Sequence, residues 1–239
     1  MSEKRRADHA VGTVTLNAHG LACGYNDSVV CGPFDFAMGS CEVVAVVGNN
    51  AAGKSTLLRT VVGDQRSVSG EIRINTLVPN PEAVVFRRLL STVTDADAFF
   101  SSLTVQEHLT MVAAGHGVKN VGSSVDAELS FFDLFDAADS LPRHLSSGQR
   151  RRLLLAAAFI RPFQLLVLDE PEQRLDTGMR QILGTRLGKL RGGQGAAALI
   201  ATHDADVLLA SASRCLVIAD GLLREVTPQE GAQWITQNH

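Results

Sequence analysis

An apolar run, Val43-Val44-Ala45-Val46-Val47, stops at Gly48, and a polar loop leads at once into Lys54-Ser55-Thr56-Leu57-Leu58. The run has no polar alternation, so a strand built from it needs cover on both faces. A strand that feeds a helix through a tight loop belongs to a parallel sheet with crossover helices. Residues 164–168 and 196–201 are further apolar runs with helical patterns between them. The predicted class is therefore α/β with a mainly parallel core sheet. Residues 14–21 and 71–74 read as strands of a small antiparallel β subdomain. Residues 105–144 repeat apolar side chains at helical spacing (Leu109, Val112, Ala113, then Leu129, Phe132) and read as an inserted helical subdomain. Gly115 to Ser124 reads as a flexible link inside it. Residues 216–218 and 222–226 flank Asp220-Gly221 and predict a hairpin. A last helix is predicted from Thr227-Pro228.

The loop after the first strand is Gly48-Asn49-Asn50-Ala51-Ala52-Gly53-Lys54-Ser55-Thr56. Two glycines, a lysine and a hydroxyl residue at these spacings are the phosphate-binding loop pattern, or P-loop. Backbone N–H groups and the positive end of the following helix can wrap an anion. Lys54 adds a mobile charge suited to β- and γ-phosphates. Ser55 offers the hard oxygen that Mg²⁺ prefers. Ala51 costs roughly 1 kcal/mol if its position requires φ > 0.

Three more stretches carry chemistry. Leu165-Leu166-Val167-Leu168-Asp169-Glu170 is an apolar strand ending in two acids; alone, it also fits a solvated acidic turn broken by Pro171. Leu145-Ser146-Ser147-Gly148-Gln149 precedes a helix over 150–160 and in isolation is an ordinary serine cap. Ala201-Thr202-His203-Asp204 closes an apolar strand, where a lone histidine is usually structural. In this order and spacing, together with the P-loop, the stretches resemble the ATP-binding-cassette (ABC) family. The resemblance runs from about Leu16 to about Arg224, and Leu145 to Leu153 is similar to export-type cassettes.

The resemblance implies a P-loop NTPase fold, ATP as ligand and Mg²⁺ as its metal. By resemblance, Asp169 and Ser55 hold the metal and Glu170 polarises the attacking water. His203 is the switch histidine at the γ-phosphate, and Tyr25 stacks on adenine. Ser146, Ser147, Gly148 and Gln149 cap a γ-phosphate held by a second cassette, with Ser147 in place of the usual glycine. Glu172-Gln173-Arg174-Leu175-Asp176 matches the family's D-loop; Asp176 stands at its usual position and Glu172 replaces a more usual Thr or Ser. Asp95 falls where a metal-contacting glutamine is usual, unless the alignment slips within 92–97.

Each motif occurs once, so a second ABC cassette, identical or different, is implied, and with it transmembrane permease subunits docked near 90–104. There the Phe99-Phe100 pair would be exposed on an isolated cassette. The chain has 239 residues, 45% of them hydrophobic, enough for one substantial core. Residues 1–11 read as a flexible tail and 12–239 as a single ABC ATPase domain, with its helical subdomain at about 104–160. A net charge of −3 gives no electrostatic footprint for nucleic acid. Arg150-Arg151-Arg152, a basic run, reads as a solvated helix face. The four cysteines form no C-x-x-C pair, which fits free thiols in a reducing cytosol. No apolar run nears the roughly 20 residues needed to cross a bilayer. These features predict a peripheral subunit on the cytoplasmic face of the cell membrane, touching the membrane only through partners. The alternative is a soluble, non-transport ABC ATPase in a cytosolic assembly complex; a weakly hydrolysing regulatory protein is a third reading.

Overall fold

The computed structural model describes residues 14–94, 98–191 and 195–238. The expected tail at 1–11 and Asp95 lie outside the described residues. Among the described residues, three strands form an antiparallel sheet in the order β2-β1-β4: β1 (Val14–Tyr25), β2 (Ser28–Gly39) and β4 (Ser69–Ile74). A second sheet has the order β5-β6-β7-β3-β8-β9. It comprises β3 (Val43–Gly48), β5 (Leu90–Val93), β6 (Leu165–Asp169), β7 (Ala197–Ala201), β8 (Arg214–Ala219) and β9 (Leu222–Val226). All its pairings are parallel except the β8-β9 hairpin.

The apolar runs are explained by cover on both faces of this sheet. Val43, Ala45 and Val47 enter one core, and Val44 and Val46 enter the other. The strands β6, β7 and β8 divide their side chains in the same alternating way. One core holds α1 (Lys54–Val62) and the antiparallel sheet. The other holds α3 (Val105–Gly115), α4 (Val121–Phe131), α5 (Ser147–Ile160), α6 (Thr177–Gly188), α7 (Ala205–Ser211) and α8 (Pro228–Asn238). The short α2 (Val84–Leu89) leads into β5.

Local signals set the helix ends. Thr104 and Glu107 form a reciprocal capping box on α3, as do Ser146 and Gln149 on α5. The second box starts α5 at Ser147, three residues before the predicted start. The link between α3 and α4 is shorter than the expected Gly115 to Ser124. Asn120 adopts φ 57° and launches α4 at Val121, with its carbonyl accepting from the Ser124 N–H. The strand β2 was not anticipated. Phe99 is also a correction: it packs partly buried against the core, while Phe100 is 55% exposed. Both rings lie about 6 Å from the buried His108 imidazole, at 5.9 and 6.0 Å, so the aromatic pair closes over α3.

Candidate functional site

The strand order places the motifs side by side. The strands β6, β7 and β3 are adjacent and parallel, so Asp169-Glu170, Thr202-His203 and the phosphate loop all emerge at their carboxyl ends. This is where open α/β sheets bind ligands. Two backbone bonds lock the ends together: Glu170 N–H donates to Ala201 O at 2.9 Å, and Thr202 N–H to Val46 O at 3.2 Å.

The loop's glycines answer to space. A Cβ on Gly48 would lie 2.6 Å from Ile218 O, and one on Gly53 would lie 2.7 Å from Cys31 Sγ. Gly53 also adopts φ 103° as it opens α1. Ala51 does adopt a left-handed conformation, φ 65°, so the conditional strain is present. Asn49, Asn50 and Ala51 are exposed, and Ala52 and Ser55 are half-buried. Lys54 is buried and donates to Gly48 O at 2.9 Å and Asn49 O at 3.1 Å. Burial pulls its ammonium below the usual lysine range, against the pull of the Glu170, Asp169 and Glu172 carboxylates. The cradle fits a polyphosphate, because its carbonyl-bound ammonium has no anionic partner within the loop itself. Tyr25, 50% exposed, lies over the start of α1 with its hydroxyl 3.4 Å from Thr56 Oγ1.

One of the acids, Glu170, meets the histidine directly. Glu170 Oε1 lies 3.0 Å from His203 Nε2, both side chains partly exposed. Its second oxygen accepts from the Gln173 amide. Glu170 sits at φ 44°, a strained conformation for a non-glycine residue and a recurrent one at functional sites. Asp169 is buried at the strand's end. The buried Asp169 carboxylate and the Ser55 hydroxyl are a hard-oxygen donor set compatible with Mg²⁺.

Ser146 and Ser147 are exposed, with Gly148 and Gln149 half-buried. Ser146 Oγ accepts from Gln149 N–H at 3.1 Å, and Gln149 Oε1 accepts from Ser146 N–H at 2.9 Å. Asp176, also exposed, caps α6 by accepting from Met179 N–H at 2.9 Å. Both elements therefore have a local structural role on an exposed surface.

The basic run is not a solvated face. Arg151 is buried and donates to Asp169 O at 2.7 Å and Glu170 O at 2.6 Å. Arg152 holds Asp133 at 2.8 Å. The physical reason is that α5 lies against the end of β6, where the Asp169 and Glu170 carbonyls accept from a guanidinium that would be costly to bury otherwise. Sequence reasoning missed Arg151 as the link between the serine cap's helix and the two acids. Helical phase was the available signal, since three consecutive residues spread over three directions and cannot share one face. It also gave no role to Glu172, which is buried and bonded to Thr202 and His203.

The sequence model of the family described as ABC transporter matches residues 31–173. The SkfA peptide export ATP-binding protein SkfE of Bacillus subtilis (strain 168) is 33% identical over 199 residues, covering 81% of this chain and 82% of that protein. The cytochrome c biogenesis ATP-binding export protein CcmA of Xanthomonas oryzae pv. oryzae (strain MAFF 311018) is 35% identical over 192 residues, covering 80% of this chain and 87% of that protein. A solved ATP-binding subunit of an ABC transporter superposes with a TM-score of 0.80 at 25% identity, over 94% of each chain. A dimeric cassette solved in a post-hydrolysis state with ADP and Pi shares the fold, with a TM-score of 0.78 at 19% identity over 89% of this chain and 98% of that one.

Proposed function

Because the chain belongs to the ABC transporter family, we propose that it is a transporter's ATP-binding and ATP-hydrolysing subunit, coupling cassette dimerisation to movement of separate membrane subunits. The observation that carries this reading is the 3.0 Å contact between Glu170 and His203 at the mouth of the phosphate loop. One segment there can bind an anion, one can activate water and one can sense a terminal phosphate.

Lys54 exchanges the Gly48 and Asn49 carbonyls for phosphate oxygens when ATP enters. His203 turns from Glu170 toward the γ-phosphate, and the released Glu170 carboxylate takes a proton from the attacking water. Asp169 and Ser55, with Asp95 as a candidate third group, would hold Mg²⁺, which would neutralise phosphate charge. Tyr25 supports adenine by stacking. Ser146 to Gln149 and Asp176 face a second cassette, whose phosphate loop they close. Residues 104–160 act as the helical subdomain that carries the serine cap, within one ATPase domain over 12–239. The permease subunits recruit the chain to the cytoplasmic face of the membrane as a peripheral subunit. Among the described residues no helix is long and apolar enough to cross a membrane, which fits attachment through partners.

Affinity purification from solubilised membranes tests the reading. The expected result is co-elution with a polytopic membrane protein and ATP hydrolysis that stops on Mg²⁺ removal by EDTA. Recovery with soluble assembly partners alone would move the chain to the non-transport alternative.

A further inference from the structure

Glu172 is a buried carboxylate beside the site that no step above uses. It is 5% exposed. Its Oε1 accepts two bonds, from Thr202 Oγ1 at 2.7 Å and from His203 N–H at 2.9 Å. Its Oε2 is buried with no hydrogen-bond partner. A buried carboxylate is held at a desolvation cost, which pushes this carboxyl above the usual glutamic acid range. An apolar side chain would fill the same volume without that cost, so the two bonds are the candidate reason for an acid here.

Both bonds end on the segment that carries His203. Thr202 is fully buried, and its hydroxyl also accepts from Asp204 N–H at 3.1 Å. Asp204 caps α7 through Val207 N–H at 2.9 Å and pairs with Arg180 at 3.2 Å. The backbone at 202–204 is thus anchored on its downstream side by α7 and upstream by the Thr202 bond to Val46. Glu172 adds the anchor at His203 itself, and it comes from the turn that also carries Glu170. In that turn Gln173 N–H bonds Glu170 O at 3.0 Å and Leu175 N–H bonds Glu172 O at 3.1 Å.

We propose that Glu172 is a positioning residue for hydrolysis: by holding the His203 N–H it ties the histidine's backbone to the 170–176 turn, so that the imidazole turns from Glu170 to the γ-phosphate about a fixed pivot. The proposal rests on the ATPase reading above. Glu172 touches no reacting atom; it acts through His203.

Steady-state ATPase kinetics of Glu172→Ala, Glu172→Gln, His203→Ala and the Glu172→Ala/His203→Ala pair test it. Glu172→Ala is expected to lower kcat by about 10- to 100-fold, the scale of a misplaced catalytic group, with KM for ATP little changed. Glu172→Gln keeps the Oε1 acceptor and restores most of kcat. In the His203→Ala background, Glu172→Ala adds no further loss, because residues acting through one group are not additive. Additive losses, an unchanged kcat, or a loss confined to KM or thermal stability overturns the proposal. Should Glu172→Ala fail to fold, Glu172→Leu, which fills the volume and offers no acceptor to the His203 N–H, replaces it with the same expectations. The His203 amide proton resonance is read in parallel. It moves upfield in the truncated variant and largely stays in Glu172→Gln if the bond is real; no movement sinks the idea. A wild-type chain with no ATPase activity would overturn the functional reading, and the amide resonance would still decide the bond.

Discussion

Lys54 is buried and held by two carbonyls of an exposed loop, with three carboxylates acting on it from outside. Removing its charge leaves the loop's N–H groups alone against a polyphosphate. Lys54→Ala should therefore abolish measurable ATP binding, read by equilibrium titration with a fluorescent ATP analogue. Glu170→Gln is a different loss, because the loop and the ammonium remain. Binding should persist while hydrolysis slows by about 100- to 10,000-fold, the range for a general base. Near-normal turnover would assign the water to another group. Ala51 gives a stability prediction at the same scale. At φ 65° its Cβ is unfavourable, so Ala51→Gly should raise stability by about 1 kcal/mol, read by denaturant midpoint. The P-loop lysine, the two acids and the histidine were legible from spacing. The state of Ala51 was legible only as a condition, since φ is a property of the folded loop.

Elements are joined by a few buried polar contacts that no periodicity announces. Arg186 on α6 makes a two-pronged pair with Glu128 on α4, at 2.7 and 2.5 Å, with both side chains mostly buried. Its guanidinium also lies 4.3 Å from the Phe131 ring centre and 4.1 Å from that of Phe159. This cluster fastens the helical insertion to the core. Glu128→Ala leaves a buried cation unpaired and should cost about 3 kcal/mol. Glu128→Leu combined with Arg186→Met should recover most of that in a thermal melt, and equal losses in both variants would show that packing alone sets the cost. Helical periodicity found α3 and α4 but placed their link too long, because it did not foresee Asn120 in a left-handed cap. The strand β2 escaped because Gly32-Pro33 interrupts it, although Phe34, Phe36 and Met38 alternate inward beyond the break.

The whole molecule presents its serine cap and Asp176 on exposed surface, while its phosphate loop lies at the carboxyl ends of β3, β6 and β7. One chain thus offers two incomplete halves of a site in the proposed dimer. A ligand that binds the joined state better than the separate chains shifts the equilibrium toward it. Sedimentation of Glu170→Gln should show monomer without nucleotide and dimer with ATP. Ser146→Arg should block the shift by placing bulk and charge at the cap. A chain that stays monomeric with ATP would exclude the free homodimer and leave a heterodimer or a dimer assembled on the permease.

The parallel sheet and the residues at its strand ends are readable from local patterns in the chain. Runs such as Val43 to Val47 can be satisfied only by burial on both faces, and a phosphate loop must follow such a strand. These are local constraints, carried by neighbouring residues. Which charges lie inside emerges only from long-range packing. Arg151 reads as surface until α5 brings it to the carbonyls of Asp169 and Glu170, and Glu172 reads as a turn acid until β7 delivers Thr202 and the His203 N–H. The free energy of a buried charge depends on donors and acceptors supplied by segments distant in sequence. Composition and spacing therefore do not encode it.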